Sequence, residues 1–128
     1  MQEITIIEDD EAFWSDWSLI AELLNLKLNV YSGFDELEHN FRKNEICKQI
    51  GIFVDYDLGS YNAFSANISQ KLREDFQYKG PLVLISIFDQ FANEHESTYK
   101  QFYDVRLDKK EVLKIDNIHI IRGILGVA

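Results

Sequence analysis

The sequence predicts an α/β domain: a doubly wound, five-stranded parallel sheet flanked by five helices. Three observations carry that expectation. Short β-prone runs alternate with stretches whose apolar residues recur at helical spacing. Three of the short runs are nearly continuous in apolar residues, as strands buried on both faces should be. Six glycines and one proline are scattered rather than clustered, and there is no repeat, linker or low-complexity tract. Residues 1–128 are therefore expected to form one domain, with no second domain beside it.

Taken in order, the β-prone runs are Ile4–Ile7, Lys27–Tyr31, Ile50–Val54, Leu82–Ile87 and the weaker Tyr103–Leu107. A first helix is read from Phe13, Trp17, Ile20 and Leu24, a second from Phe34, Leu37 and Phe41, and a third from Ile68, Leu72 and Phe76. Asn93–Phe102 is polar and weakly periodic and supplies the fourth helix. Ile118, Ile121 and Leu125 mark the fifth, with Arg122 off its apolar face and Gly123 inside it. Parallel strands need crossover helices, so the sheet is covered on both faces.

Composition narrows the function. Thirteen basic and 22 acidic residues give a net charge of −9, the wrong sign for nucleic acid or an anionic membrane surface. A single cysteine, Cys47, forms no internal disulfide, and its place before a strand suggests a small buried hydrophobe. The N-terminal residues lack a basic stretch and a long apolar run, so neither a signal peptide nor a membrane span is expected. A cytoplasmic protein is the expectation.

In open parallel sheets, ligands bind at the carboxyl ends of the strands. Here the first strand runs into Glu8-Asp9-Asp10-Glu11, the third into Asp55-Tyr56-Asp57, the fourth into Ser86 and the fifth into Asp108-Lys109-Lys110. Converging on one crevice, these ends would gather two or three carboxylates, a hydroxyl and an ammonium. Crowded carboxylates repel unless a cation neutralises them, and a hard divalent ion such as magnesium suits oxygen ligands. A carboxylate can also attack a phosphoryl group to give an aspartyl-phosphate, with the lysine and hydroxyl holding the remaining oxygens. Each residue has a plain structural use as well. An acidic run favours a helix N-terminus, and a lone Asp after a strand is often a cap or turn residue. The chemical reading rests on the ordered set.

That ordered set resembles the receiver domain of bacterial two-component response regulators (CheY-like), over nearly the whole chain from Ile4 to about Leu125. The resemblance implies a flavodoxin-like fold with strand order 2-1-3-4-5. It implies that Glu8 and Asp9 bind Mg2+, with Asp10 an extra acid on the rim or, one position along, a substitute for Glu8. Asp55 matches the phosphoacceptor, which also ligates the metal, and Asp57 the position whose backbone carbonyl does so. Ser86 matches the hydroxyl that moves to the phosphoryl group, and Lys109 the lysine that contacts it. The implied partners are a histidine kinase or phosphotransfer protein upstream and an unidentified protein downstream, the domain being a monomer or weak dimer. It would be a phosphoacceptor that catalyses its own phosphorylation, not a turnover enzyme.

Some positions depart from that pattern. Gly59 stands where proline is usual and Ala63 where glycine is usual. Ile87 follows Ser86, where a small residue is general, and narrows access to a phosphate. Arg106 replaces the aromatic that reports activation and would present charge on that face. Lys110 replaces a proline that follows the lysine through a cis bond, so the loop is trans and shifted, or strained. Gly59 and Ala63 are tolerable, but Ile87, Arg106 and Lys110 argue for a rival reading, a pseudo-receiver that signals by binding alone. The intact Glu8, Asp9, Asp55, Ser86 and Lys109 argue against it. Asp55-Tyr56-Asp57 also resembles the Asp-x-Asp motif of haloacid-dehalogenase-type phosphatases, although those carry it on the first strand and have more chain after it.

Overall fold

Burial on alternate faces organises the strands. The computed structural model describes residues 1–58, 61–62 (backbone only), 67–87 and 103–127. Its main sheet contains β1 (Glu3–Ile7), β2 (Lys27–Tyr31), β3 (Gln49–Asp55), β6 (Leu82–Ser86) and β7 (Val105–Asp108). The spatial order is β2-β1-β3-β6-β7, every neighbouring pair parallel. Counting only these five strands, that is the expected order 2-1-3-4-5. A two-stranded antiparallel hairpin, β4 (Asp57–Leu58) with β5 (Tyr61–Asn62), follows β3 directly.

The period of two sorts the apolar residues onto two cores. Ile7, Ile52, Val54, Leu82 and Leu84 pack with Phe34, Leu37, Ile46, Ile68 and Leu72 from α2 (Phe34–Asn40), α3 (Lys43–Cys47) and α4 (Ile68–Glu74). Ile4, Ile6, Phe53, Val83 and Ile85 face the other way, onto Trp17, Ile20 and Ala21 of α1 (Trp14–Leu23) and Ile121 of α6 (Ile118–Leu125). Trp17 is buried with its ring 4.9 Å from that of Phe53. Gly51 lets α6 lie close to β3, because a Cβ there would run into the Leu125 side chain. Between β7 and α6 come α5 (Lys109–Val112) and a single 3-10 turn, Ile115–Asn117.

Several boundaries differ from the apolar pattern, for one reason: side chains outside a helix can continue its spacing. Phe41 is extended and follows the end of α2, yet its ring packs edge-on to Tyr31 at 5.2 Å. Phe76 lies beyond α4, just before Gln77 turns the chain at φ +56°, and packs edge-on to Phe34 at 6.1 Å. The short helices α3 and α5 are too brief to produce a periodic signal. Tyr103 is buried but precedes β7. Next to it, the Asp104 carboxylate accepts from the Leu82 amide at 2.8 Å and from Arg73 at 3.0 Å, tying β7 to β6 and α4. Cys47 is exposed, not buried. The helix expected at Asn93–Phe102 lies outside the described residues, as do Gly59 and Ala63.

No helix among the described residues is long and apolar enough to cross a membrane. In α6, Ile121 faces the core and Arg122 is exposed, and the helix closes with Gly126 in the left-handed region at φ +67°. A Cβ at Gly123 would meet nothing within 4 Å. Gly123→Ala is therefore expected to stabilise the domain by about 1 kcal/mol, read as a higher urea midpoint at an unchanged slope.

Candidate functional site

The four carboxyl ends of β1, β3, β6 and β7 supply the site, and backbone bonds fix each one. Glu8 follows β1; its amide donates to the Tyr31 carbonyl at 2.8 Å and its carbonyl accepts from the Trp14 indole N–H at 2.8 Å. The Glu8 side chain is thereby held inside, at 1% exposure, while Asp9 is exposed. Asp10 is used differently. Its carboxylate accepts from the Ala12 amide at 3.0 Å and caps the 3-10 turn Glu11–Phe13 that leads into α1. Asp10 thus serves as a cap, and Glu8 is the one of the two that lies in the carboxylate group with Asp9 and Asp55.

Asp55 is the last residue of β3 and is buried, as are Ser86 at the end of β6 and Lys109 just after β7. The Lys109 ammonium contacts a Glu8 carboxylate oxygen and lies 3.4 Å from Asp55 Oδ1. It also sits 3.8 Å from the centroid of the Phe13 ring. This cation–π contact holds the ammonium from a third side. One carboxylate oxygen each from Glu8, Asp9 and Asp55 lies within 4.8 Å of the others. The Asp57 side chain is exposed and stands outside that group.

The electrostatics follow from burial. Desolvation, then the hydrogen bond and negative charge of Glu8, push the Asp55 carboxyl up to about 8; Lys109 opposes the rise. The pocket thus favours the protonated form of Asp55 beside the contact between Glu8 and Lys109. The donor set suits magnesium. Three carboxylate oxygens gathered within 4.8 Å of one another are the hard donors that magnesium takes, and Glu8, Asp9 and Asp55 would hold it. Such an ion would offset the desolvation, and then the negative charge of Glu8, that disfavour an ionised Asp55.

The atypical positions also find their places. Ile87 is half-buried, immediately after Ser86 and outside the strand. Lys110 follows Lys109 through a trans bond, and its amide, which a proline would lack, donates to Asp108 Oδ1 at 2.9 Å. The loop is reshaped into the capped start of α5. The Arg106 guanidinium does not simply present charge outward: its Nη1 donates to Ser86 Oγ at 3.1 Å. The sequence reading missed the roles of Phe13 and Trp14 at the site, because both fit the apolar and interfacial pattern of a first helix. Their place directly after the acidic run was the available signal.

The Asp55 shift makes stability depend on pH. Its folded value, about 8, exceeds the unfolded value near 3.8, so its contribution is fully present below about 4 and is lost as pH rises towards 8. Over that window the loss approaches about 1.4 kcal/mol per pH unit. Asp55→Asn removes the titration, so the stability of the variant relative to the parent should climb from pH 5 to pH 8 in metal-free urea unfolding. A difference that stays flat would place the Asp55 carboxyl in its ordinary range.

No protein-family model matches the chain, and no curated protein matches it in sequence. Solved structures do match, and they are consistently response regulator receiver domains. A two-component response regulator from Clostridium difficile aligns with a TM-score of 0.77 at 16% identity, over 98% of this chain and 97% of that one. The non-phosphorylated HemR receiver domain from Leptospira biflexa gives 0.75 at 16% identity, over 100% and 97%. The receiver domain of a sensor histidine kinase from Pseudomonas aeruginosa, solved with magnesium coordinated in its active site cleft, gives 0.64 at 14% identity over 98% of both chains. The chain has the fold of the CheY-like response regulator receiver domains.

Proposed function

We propose that this domain is a two-component signalling receiver that accepts a phosphoryl group on Asp55 from a histidine kinase or phosphotransfer protein. The observation that supports it most is the meeting of Glu8, Asp9, Asp55 and Lys109 at one end of this sheet. An Asp55 carboxylate oxygen would attack the phosphorus of a phosphohistidine. The phosphorus–nitrogen bond breaks, its electron pair returns to the imidazole, and the product is an acyl phosphate on Asp55. Asp55 must first give up its proton, which Lys109 assists by its positive charge.

Magnesium, held by Glu8, Asp9, Asp55 and the Asp57 backbone carbonyl, would supply positive charge to the phosphoryl oxygens. Lys109 is placed to exchange its contact with Glu8 for one with a phosphoryl oxygen. Ser86, buried at the adjoining strand end, offers its hydroxyl proton to another. These exchanges alter packing around β6 and β7, and the output is a changed contact with a downstream protein. The domain would act as a monomer or weak dimer in the cytoplasm, without nucleic acid or membrane contact of its own. It modifies itself once per cycle and is not a turnover enzyme.

A second reading, a pseudo-receiver that signals by binding alone, draws on Ile87 half-buried beside Ser86 and on Lys109 closed onto Glu8. Beryllofluoride, which mimics a phosphoryl group on a carboxylate, separates the two. Trp14 is a built-in reporter, since its indole bonds the Glu8 carbonyl. A saturable fluorescence change requiring both magnesium and beryllofluoride, and abolished in Asp55→Asn, is the expected result. A response to magnesium with none to beryllofluoride would favour the second reading.

A further inference from the structure

We propose that Arg106 is the positioning residue for the Ser86 hydroxyl and so sets how tightly the domain holds a phosphoryl group. The inference rests on the phosphoacceptor reading of Asp55 and assigns that site an additional element. β6 and β7 pair in parallel with Leu84 opposite Arg106 and Ser86 opposite Asp108. The period of two therefore puts Arg106 and Ser86 on one face of the sheet as diagonal neighbours. The guanidinium Nη1 spans that diagonal to Ser86 Oγ at 3.1 Å. Ser86 is buried, whereas Arg106 is partly exposed on β7, which ends the strand order.

The chemistry of the pair is directional. A guanidinium has only donors, and a serine hydroxyl has one proton and two lone pairs. With Arg106 donating, Ser86 must accept, and its own proton is directed to a different acceptor. Asp55 and Ser86 end adjacent strands at the same edge of the sheet, with Asp55 in register with Ile85. Their side chains start on opposite faces, so it is a phosphoryl group on Asp55, reaching past the strand end, that would bring an oxygen within reach as such an acceptor. Donation from a permanent cation also polarises the hydroxyl and makes it a stronger donor. Arg106 thus acts through Ser86 without touching the phosphoryl group, and links the loaded site to the β7 edge.

The test is a set of beryllofluoride titrations at saturating magnesium, read by Trp14 fluorescence, with thermal unfolding to confirm that each variant folds. Arg106→Met is expected to weaken beryllofluoride binding about tenfold, and Arg106→Lys, which keeps a cationic donor, to recover most of that loss. In a Ser86→Ala background, Arg106→Met should change affinity less than twofold. Should Arg106→Met not fold, Arg106→Gln takes its place, with a loss smaller than tenfold but again absent in the Ser86→Ala background. Unchanged affinity in Arg106→Met, equal losses in the Met and Lys variants, or the same loss without the serine hydroxyl would overturn the assignment. A parent domain that ignores beryllofluoride would instead remove the phosphoacceptor reading, and this inference with it.

Discussion

One ammonium, buried among carboxylates, decides what the carboxyl end of this sheet can be. Lys109 contacts Glu8, lies 3.4 Å from Asp55 and rests on the Phe13 ring. Burying two acids side by side is unfavourable by several kcal/mol without compensation. A single lysine answers only part of that charge, and a proton retained on Asp55 answers more. The charge balance of the pocket therefore depends on the protonation of Asp55 as well as on Lys109.

The surrounding fold serves that arrangement by keeping the strand ends fixed. Both faces of β1, β3 and β6 are packed, so the backbone positions of Glu8, Asp55 and Ser86 are set by apolar side chains several residues away. At the other end of the sheet the polar groups are matched in a different way. Thr5 donates to Gln49 at 2.8 Å, and Asn29 donates to both Glu3 and Gln49. At that end the Glu3 carboxylate is matched by Asn29 and by Lys27 at 3.8 Å. The same strands thus carry a network of hydrogen bonds at one end and a buried cluster of charged groups at the other, separated by apolar layers.

The strands and the residues at their ends were legible because both rest on local signals: continuous apolar runs, then charge. Lys27–Tyr31 was read with the observed limits and the other strands of the main sheet shifted by one or two residues, whereas the short hairpin of β4 and β5 was not read at all. Helix ends were less legible, because Phe41 and Phe76 keep helical spacing from outside a helix. Asp10 and Glu8 could not be told apart in sequence, since capping depends on which carboxylate reaches an amide. The direction of the Arg106 side chain depends on the register between β6 and β7, which no single strand encodes. Cys47 read as buried because it stands just before a strand, yet it is the last residue of α3 and is exposed.

The close approach of α6 to Gly51 bears on how the chain assembles during synthesis. The face carrying Ile6, Phe53 and Val83 is sealed in part by Ile121 and Leu125, which are translated after every strand has been made. A nascent chain that has already paired β1, β2 and β3 still exposes that side of the sheet. Until α6 leaves the ribosome, the nascent domain offers an apolar surface of the kind that holding chaperones recognise.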